Sequence, residues 1–123
     1  MQKDFKIVYY EKTNGDAPFI DFYNKQSKKI QMRILSCIDI LKYKGNMISM
    51  PLSKKVDDYI YELRIVQGNN YSRVLYFFYI NKTIVITNGF IKKSNQLPRN
   101  EIKKANSYRN EWIRMAKNEK DKN

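Results

Sequence analysis

The chain has no histidine, one cysteine, three prolines and four glycines among its 123 residues. Without histidine there is no imidazole base, no Ser-His or Cys-His pair, and no zinc site of the usual nitrogen-rich kind. The lone Cys37 closes no internal disulfide and builds no thiolate cage, which points to a reducing compartment. No apolar run reaches the length of a membrane span, and the opening MQKDFKIVYY lacks the apolar core of a signal peptide. A soluble, cytoplasmic protein is expected. Acidic residues are also scarce near the strand-like segments, where Asp57-Asp58 is an isolated loop pair, so a metal-dependent nuclease ranks low. Chemistry falls to Lys, Arg, Tyr, Glu, Asp or a bound cation.

What is abundant is positive charge. Twenty-four Lys and Arg stand against twelve Asp and Glu, a net charge of +12. Such an excess draws polyphosphate non-specifically and in a salt-dependent way. Nucleic acid is the first partner it suggests, although a membrane surface or an acidic protein feels the same field. The length suits one domain, expected over residues 1–116, with the apolar-free stretch 117–123 as a frayed basic tail.

Residues 59–93 read as three consecutive antiparallel strands, punctuated by Gln67-Gly68-Asn69-Asn70 and by Asn81-Lys82. A four-residue first loop pairs Val66 with Tyr71 and sets Arg64 opposite Arg73. A two-residue second turn pairs Ile80 with Thr83, setting Phe90 opposite Arg73 and Lys92 opposite Tyr71. Arg64, Arg73 and Lys92 then share one face. Like charges across strands are unfavourable unless an anion lies between them, which argues for a phosphate site. Cations at a sheet edge that simply reach for water account for the same residues.

Around this sheet, residues 5–11 read as an opening strand added to an edge. A first helix starts with Asp16 as N-cap and Pro18 in its first turn. A second begins near Lys28 and buries Ile30, Ile34, Cys37, Ile38 and Leu41 at helical spacing, ending at Lys44-Gly45. Residues 46–58 form an irregular connection whose Lys54 and Lys55 can reach a ligand on the sheet rim. RVLYFFYI is apolar on both faces, as a central strand requires. Asn88-Gly89 suggests a bulge or a close backbone approach. After Pro98 a final helix carries Ile102, Ala105, Arg109, Trp112 and Ala116 at helical spacing, Trp112 anchoring it to the sheet. The order is βααβββα: an α+β fold with an antiparallel-rich sheet, a three-strand meander plus the N-terminal strand, an N-terminal helix hairpin and a C-terminal helix.

That order, with ELR at 62–64, YSRVLYF at 71–77 and NGFIKKSNQLP at 88–98, followed by Glu101 and Ala105, resembles the RelE/HigB superfamily of type II toxin-antitoxin toxins. The likeness is nearer to its HigB-like, phage-derived branch and covers roughly residues 5–112. It implies a RelE-like fold and a ribosome-dependent mRNA endonuclease that inhibits translation and is neutralised by a cognate antitoxin. It implies catalytic roles for Arg73 at the scissile phosphate, for Lys92 and Lys93 in charge stabilisation or proton transfer, and for Arg64. Lys54 and Lys55 match the family only loosely. Leu97 stands where a capping Thr is common, and no histidine is available for the HigB variant that uses one.

The fitting chemistry is metal-free and needs no cofactor: the ribose 2′-hydroxyl attacks its own 3′-phosphate and releases a 5′-hydroxyl. Arg64 and Arg73 suit bidentate phosphate contact. A lysine among other cations loses basicity, so Lys92, Lys93 or Lys54 can take the proton. Tyr71 and Tyr76 can stack a base or donate a proton, and Glu62 is an alternative base or an ion-pair partner. The main rival is a non-catalytic basic RNA-binding module, although RVLYFFYI lacks the glycine-aromatic spacing of an RRM strand. A toxin also implies an acidic, partly helical antitoxin segment over the basic sheet face and the final helix, with the ribosome and mRNA as further partners.

Overall fold

In the computed structural model, which describes residues 4–122, the chain runs through β1 (Lys6–Tyr9), α1 (Pro18–Asn24), α2 (Lys28–Lys44), β2 (Ser53–Lys55), β3 (Tyr61–Gln67), β4 (Asn70–Tyr79), β5 (Thr83–Ile91) and α3 (Arg99–Lys122). The fold is mixed α+β. Its five-stranded sheet has the order β1-β5-β4-β3-β2, antiparallel except where β1 lies parallel to β5. The expected meander of three strands is thus four. Ser53–Lys55, read as irregular, pairs with the open edge of β3. Nothing in Ser-Lys-Lys favours a strand; the free hydrogen-bonding edge of β3 supplies the reason.

Helices cover both faces. Ile34, Cys37, Ile38 and Leu41 of α2, with Phe19 of α1, pack on Leu63, Ile65, Val74, Tyr76, Ile84 and Ile86. On the other face, Ile102 and Ala105 of α3 pack with Tyr10, Ile60, Leu75, Phe77 and Val85. Trp112 meets Phe77 and Tyr79 edge-on, at 5.9 and 4.9 Å between ring centroids, and so anchors α3 as expected. The helix continues to Lys122, through the stretch expected to fray. Among the described residues no helix is long and apolar enough to cross a membrane.

Local chemistry explains the ends. Ser27 caps α2, its Oγ accepting from the Ile30 N–H. Gly45 stops α2 at φ +55°, where a Cβ would also strike the Phe5 ring. Asp16 is not the cap of α1: that position is Ala17, which has no side-chain cap. The Asp16 N–H instead donates to Asn14 Oδ1 (3.0 Å), and its carbonyl accepts from the Lys12 N–H (2.7 Å). Asp16 closes the turn before the helix, and Pro18 at the helix start needs no partner for its absent N–H.

Candidate nucleic-acid interface

Along β3 and β4 alternate side chains go to opposite faces, and the register decides which ones meet. Arg64 lies opposite Arg73 and Val66 opposite Tyr71. Phe90 lies opposite Arg73, and the Lys92 N–H donates to the Tyr71 carbonyl at 2.7 Å. The turn between β4 and β5 does not have two residues, however. Tyr79 pairs with Thr83, leaving Ile80, Asn81 and Lys82 in the turn. A bulge at Thr87 then inserts one residue in β5, because Tyr76 pairs with Ile86 and Leu75 with Asn88. The longer turn and the bulge cancel, so Arg73 still meets Phe90.

These residues share the face that carries α3, beyond the start of that helix. Asn88, level with Leu75, donates through Nδ2 to the Glu101 carbonyl at 3.2 Å in the first turn of α3, which runs from there toward Trp112. The opposite end of the face is left uncovered. There Arg33, Arg64, Tyr71, Arg73, Lys92 and Lys93 line a cleft of about 880 Å³ with Pro51, Leu52, Val66, Ser94 and Asn95. No acidic residue lines it. A second hollow of about 750 Å³ shares Lys92, Lys93 and Ser94 and leads to Arg99 at the start of α3.

Beneath the cleft lies a buried carboxylate. Glu62 is 3% exposed and Arg73 4%. Glu62 Oε1 stands 3.4 Å from Arg73 Nε, and its Oε2 stands 3.8 Å from Arg64 Nε. The closer pair is an ion pair without hydrogen-bond alignment, since both atoms are buried with no hydrogen-bond partner. Arg73 Nη1 donates to the Ser72 carbonyl (3.0 Å). Burial lowers the pKa of Arg73, the Glu62 charge opposes that shift, and Arg64 adds to it. The repulsion that suggested an external anion is therefore partly met from within. Five cations around the cleft still outnumber one buried carboxylate.

Arg64 is fixed by its strand and by the segment before β2: its N–H donates to the Leu52 carbonyl (2.8 Å) and Nη1 to Met50 Sδ (3.4 Å). Lys54 lies opposite Glu62, on the face of the cleft, and Lys55 lies opposite Tyr61, on the other face. Both are exposed, and neither lines the cleft. Tyr71 is exposed at its rim.

Tyr76 does not belong to the site. It is fully buried on the α2 face, stacked with Tyr61, and its hydroxyl shares a hydrogen bond with Ser53 Oγ. Burial pushes its pKa up to about 12, against the opposing effect of the Ser53 hydrogen bond. No base can reach its ring. Conversely, the sequence reading missed Arg33, an exposed helix position with nothing in its spacing to single it out. Only the packing of α2 beside β3 brings it to the cleft.

Among the described residues no group of three or more His, Cys, Asp or Glu side chains could hold a metal ion. The arrangement can hold a phosphate between guanidinium and ammonium groups, with an aromatic side chain beside it. Residues 21–110 match the model of a family described as Phage derived protein Gp49-like (DUF891). No curated protein shows a significant match.

Proposed function

The chain belongs to the Gp49-like family of phage-derived proteins, a toxin-like family of the RelE/HigB type, and from that premise we propose that it is a HigB-like, metal-independent endoribonuclease that cuts mRNA on the ribosome. The family is associated with toxin-antitoxin toxins and implies an antitoxin partner. One observation carries the step from family to chemistry: Arg64, Arg73, Lys92 and Lys93 meet around one open cleft free of acidic side chains in its lining.

In this reading the scissile phosphate lies against Arg73 and Arg64, whose N–H groups stabilise the charge that develops as the 2′-hydroxyl attacks. Lys92 and Lys93, at the end of β5, take the hydroxyl proton and help the departing 5′-oxygen, and Tyr71 offers a ring to an adjacent base. Glu62 holds the guanidinium groups in place. Lys54 serves the approaching RNA strand from the edge. The cytoplasm, where translation occurs, is the compartment this requires.

The test is induced expression in a bacterial host, following growth and mapping mRNA 5′ ends. The wild type should arrest growth and produce new in-frame cuts, while Arg73→Ala should lose about two to three orders of magnitude in cleavage. Because that substitution strands Glu62 inside, Glu62→Gln/Arg73→Gln, which removes both buried charges together, is run beside it. Full toxicity in a folded Arg73 variant would remove Arg73 from the site. Intact messages and normal growth with folded wild type would leave an RNA-binding module as the better account.

A further inference from the structure

One helix of this molecule is apolar on both sides. The inward positions of α2 are occupied by Ile34, Cys37, Ile38 and Leu41. By helical spacing Met32 and Tyr43 fall opposite them, Leu35 and Ile40 lie on the two shoulders, and exposed Ser36 and Asp39 lie between the pairs; all four apolar residues are exposed, Met32 at 70% and Tyr43 at 72%. An ordinary surface helix places polar residues there. The final helix does so: Lys103, Lys104, Ser107, Asn110 and Arg114 are exposed, and no large apolar side chain of its described residues is.

Five cations border this outer face, Lys28, Lys29 and Arg33 at one end and Lys42 and Lys44 at the other, against one carboxylate, Asp39, which is exposed near its middle. We propose that the outer face of α2, with its exposed pairs Met32/Leu35 and Ile40/Tyr43, is the docking face for an acidic amphipathic helix of the antitoxin, and this rests on the toxin reading above. The partner's apolar side chains meet the two pairs and its carboxylates meet the flanking cations, the helix-on-surface mode of recognition. Charge decides the occupant. A second copy of this chain would bring like cations face to face, whereas an acidic helix neutralises them. The final helix offers a partner charge without an apolar anchor.

Arg33 links this face to function, because it belongs to α2 and also lines the cleft. A carboxylate paired with Arg33 withdraws one of the five cations from RNA, so a helix bound beside the cleft lowers its pull on phosphate without filling it.

The experiment uses the full chain with the product of the adjacent reading frame, co-expressed and then purified. Met32→Lys/Tyr43→Lys should still arrest growth alone but escape rescue by that product, with the complex weakened about 100-fold or more, as expected when the two most exposed apolar anchors are lost. Amide exchange over residues 28–44 should slow in the wild-type complex. Unchanged melting temperature checks the fold, and Leu35→Ser/Tyr43→Ser replaces the first variant if it misfolds. Equal rescue of wild type and variant would overturn the docking face while leaving the toxin reading intact. Loss of a homodimer on substitution, or of binding to anionic vesicles, would assign the face elsewhere and overturn the proposal. A wild type that never arrests growth would overturn the toxin reading, and this inference with it.

Discussion

Glu62 is the buried carboxylate between the two arginines of this cleft. It stands 3.4 Å from one and 3.8 Å from the other, and Oε1 has no hydrogen-bond partner. An aligned pair of hydrogen bonds would hold the Arg73 guanidinium against Glu62, whereas this looser ion pair leaves it easier for a phosphate to recruit. Glu62→Gln should therefore act in two directions. Leaving two arginines without their neutralising charge should cost about 3 kcal/mol of stability, read from the urea midpoint. Added phosphate should raise the melting temperature of the variant more than that of the wild type, because its arginines lack an internal anion. Cleavage then separates the two roles proposed for this residue. An ion-pair partner leaves measurable activity in Glu62→Gln, and a general base leaves none despite tighter phosphate binding.

Elements show why part of the arrangement was legible and part was not. The first hairpin register follows from Gly68 and the alternating apolar pattern, and it set Arg64 opposite Arg73 without any structure. Phe90 came to face Arg73 only because a three-residue turn and the Thr87 bulge offset each other, and such pairs of departures leave no trace in alternation. Tyr76 was assignable in principle. Tyr71 and Tyr76 are five residues apart on one strand, so they cannot share a face. Adjacent Lys54 and Lys55 obey the same rule once their strand is known. Arg33 lay beyond reach, since a cation on the exposed part of a helix looks the same whether or not a cleft is beside it. At Asn88-Gly89 the close-approach expectation holds, because a Cβ on Gly89 would lie 2.5 Å from the Phe22 ring of α1. Gly89→Ala should cost about 1–3 kcal/mol by overpacking. Phe22→Leu in the same chain should recover part of that loss, and simple additivity of the two changes in a thermal-melt cycle would show that they do not meet.

At the scale of the whole molecule, the charge excess and the cleft would make separable contributions to the proposed RNA binding. A net charge of +12 gives a general attraction for polyanions, and composition alone reveals that much. The cleft is where side chains from α2, β3, β4 and the end of β5 converge, which composition cannot reveal. Salt dependence distinguishes the two. For single-stranded RNA the logarithm of the binding constant falls with the logarithm of salt concentration by about 0.7 per phosphate neutralised. Replacing both Lys92 and Lys93 with Gln should thus reduce the slope by about 1.4, measured by fluorescence anisotropy with a short single strand. Replacing Lys103 and Lys117, two exposed lysines of α3 outside the cleft, removes the same formal charge and should change the slope much less. Equal reductions from the two pairs would mean that RNA follows the general field of the protein. A loss confined to the cleft pair would mean that the phosphates sit beside Lys92 and Lys93, where the cleft and the second hollow meet, and not over the surface at large.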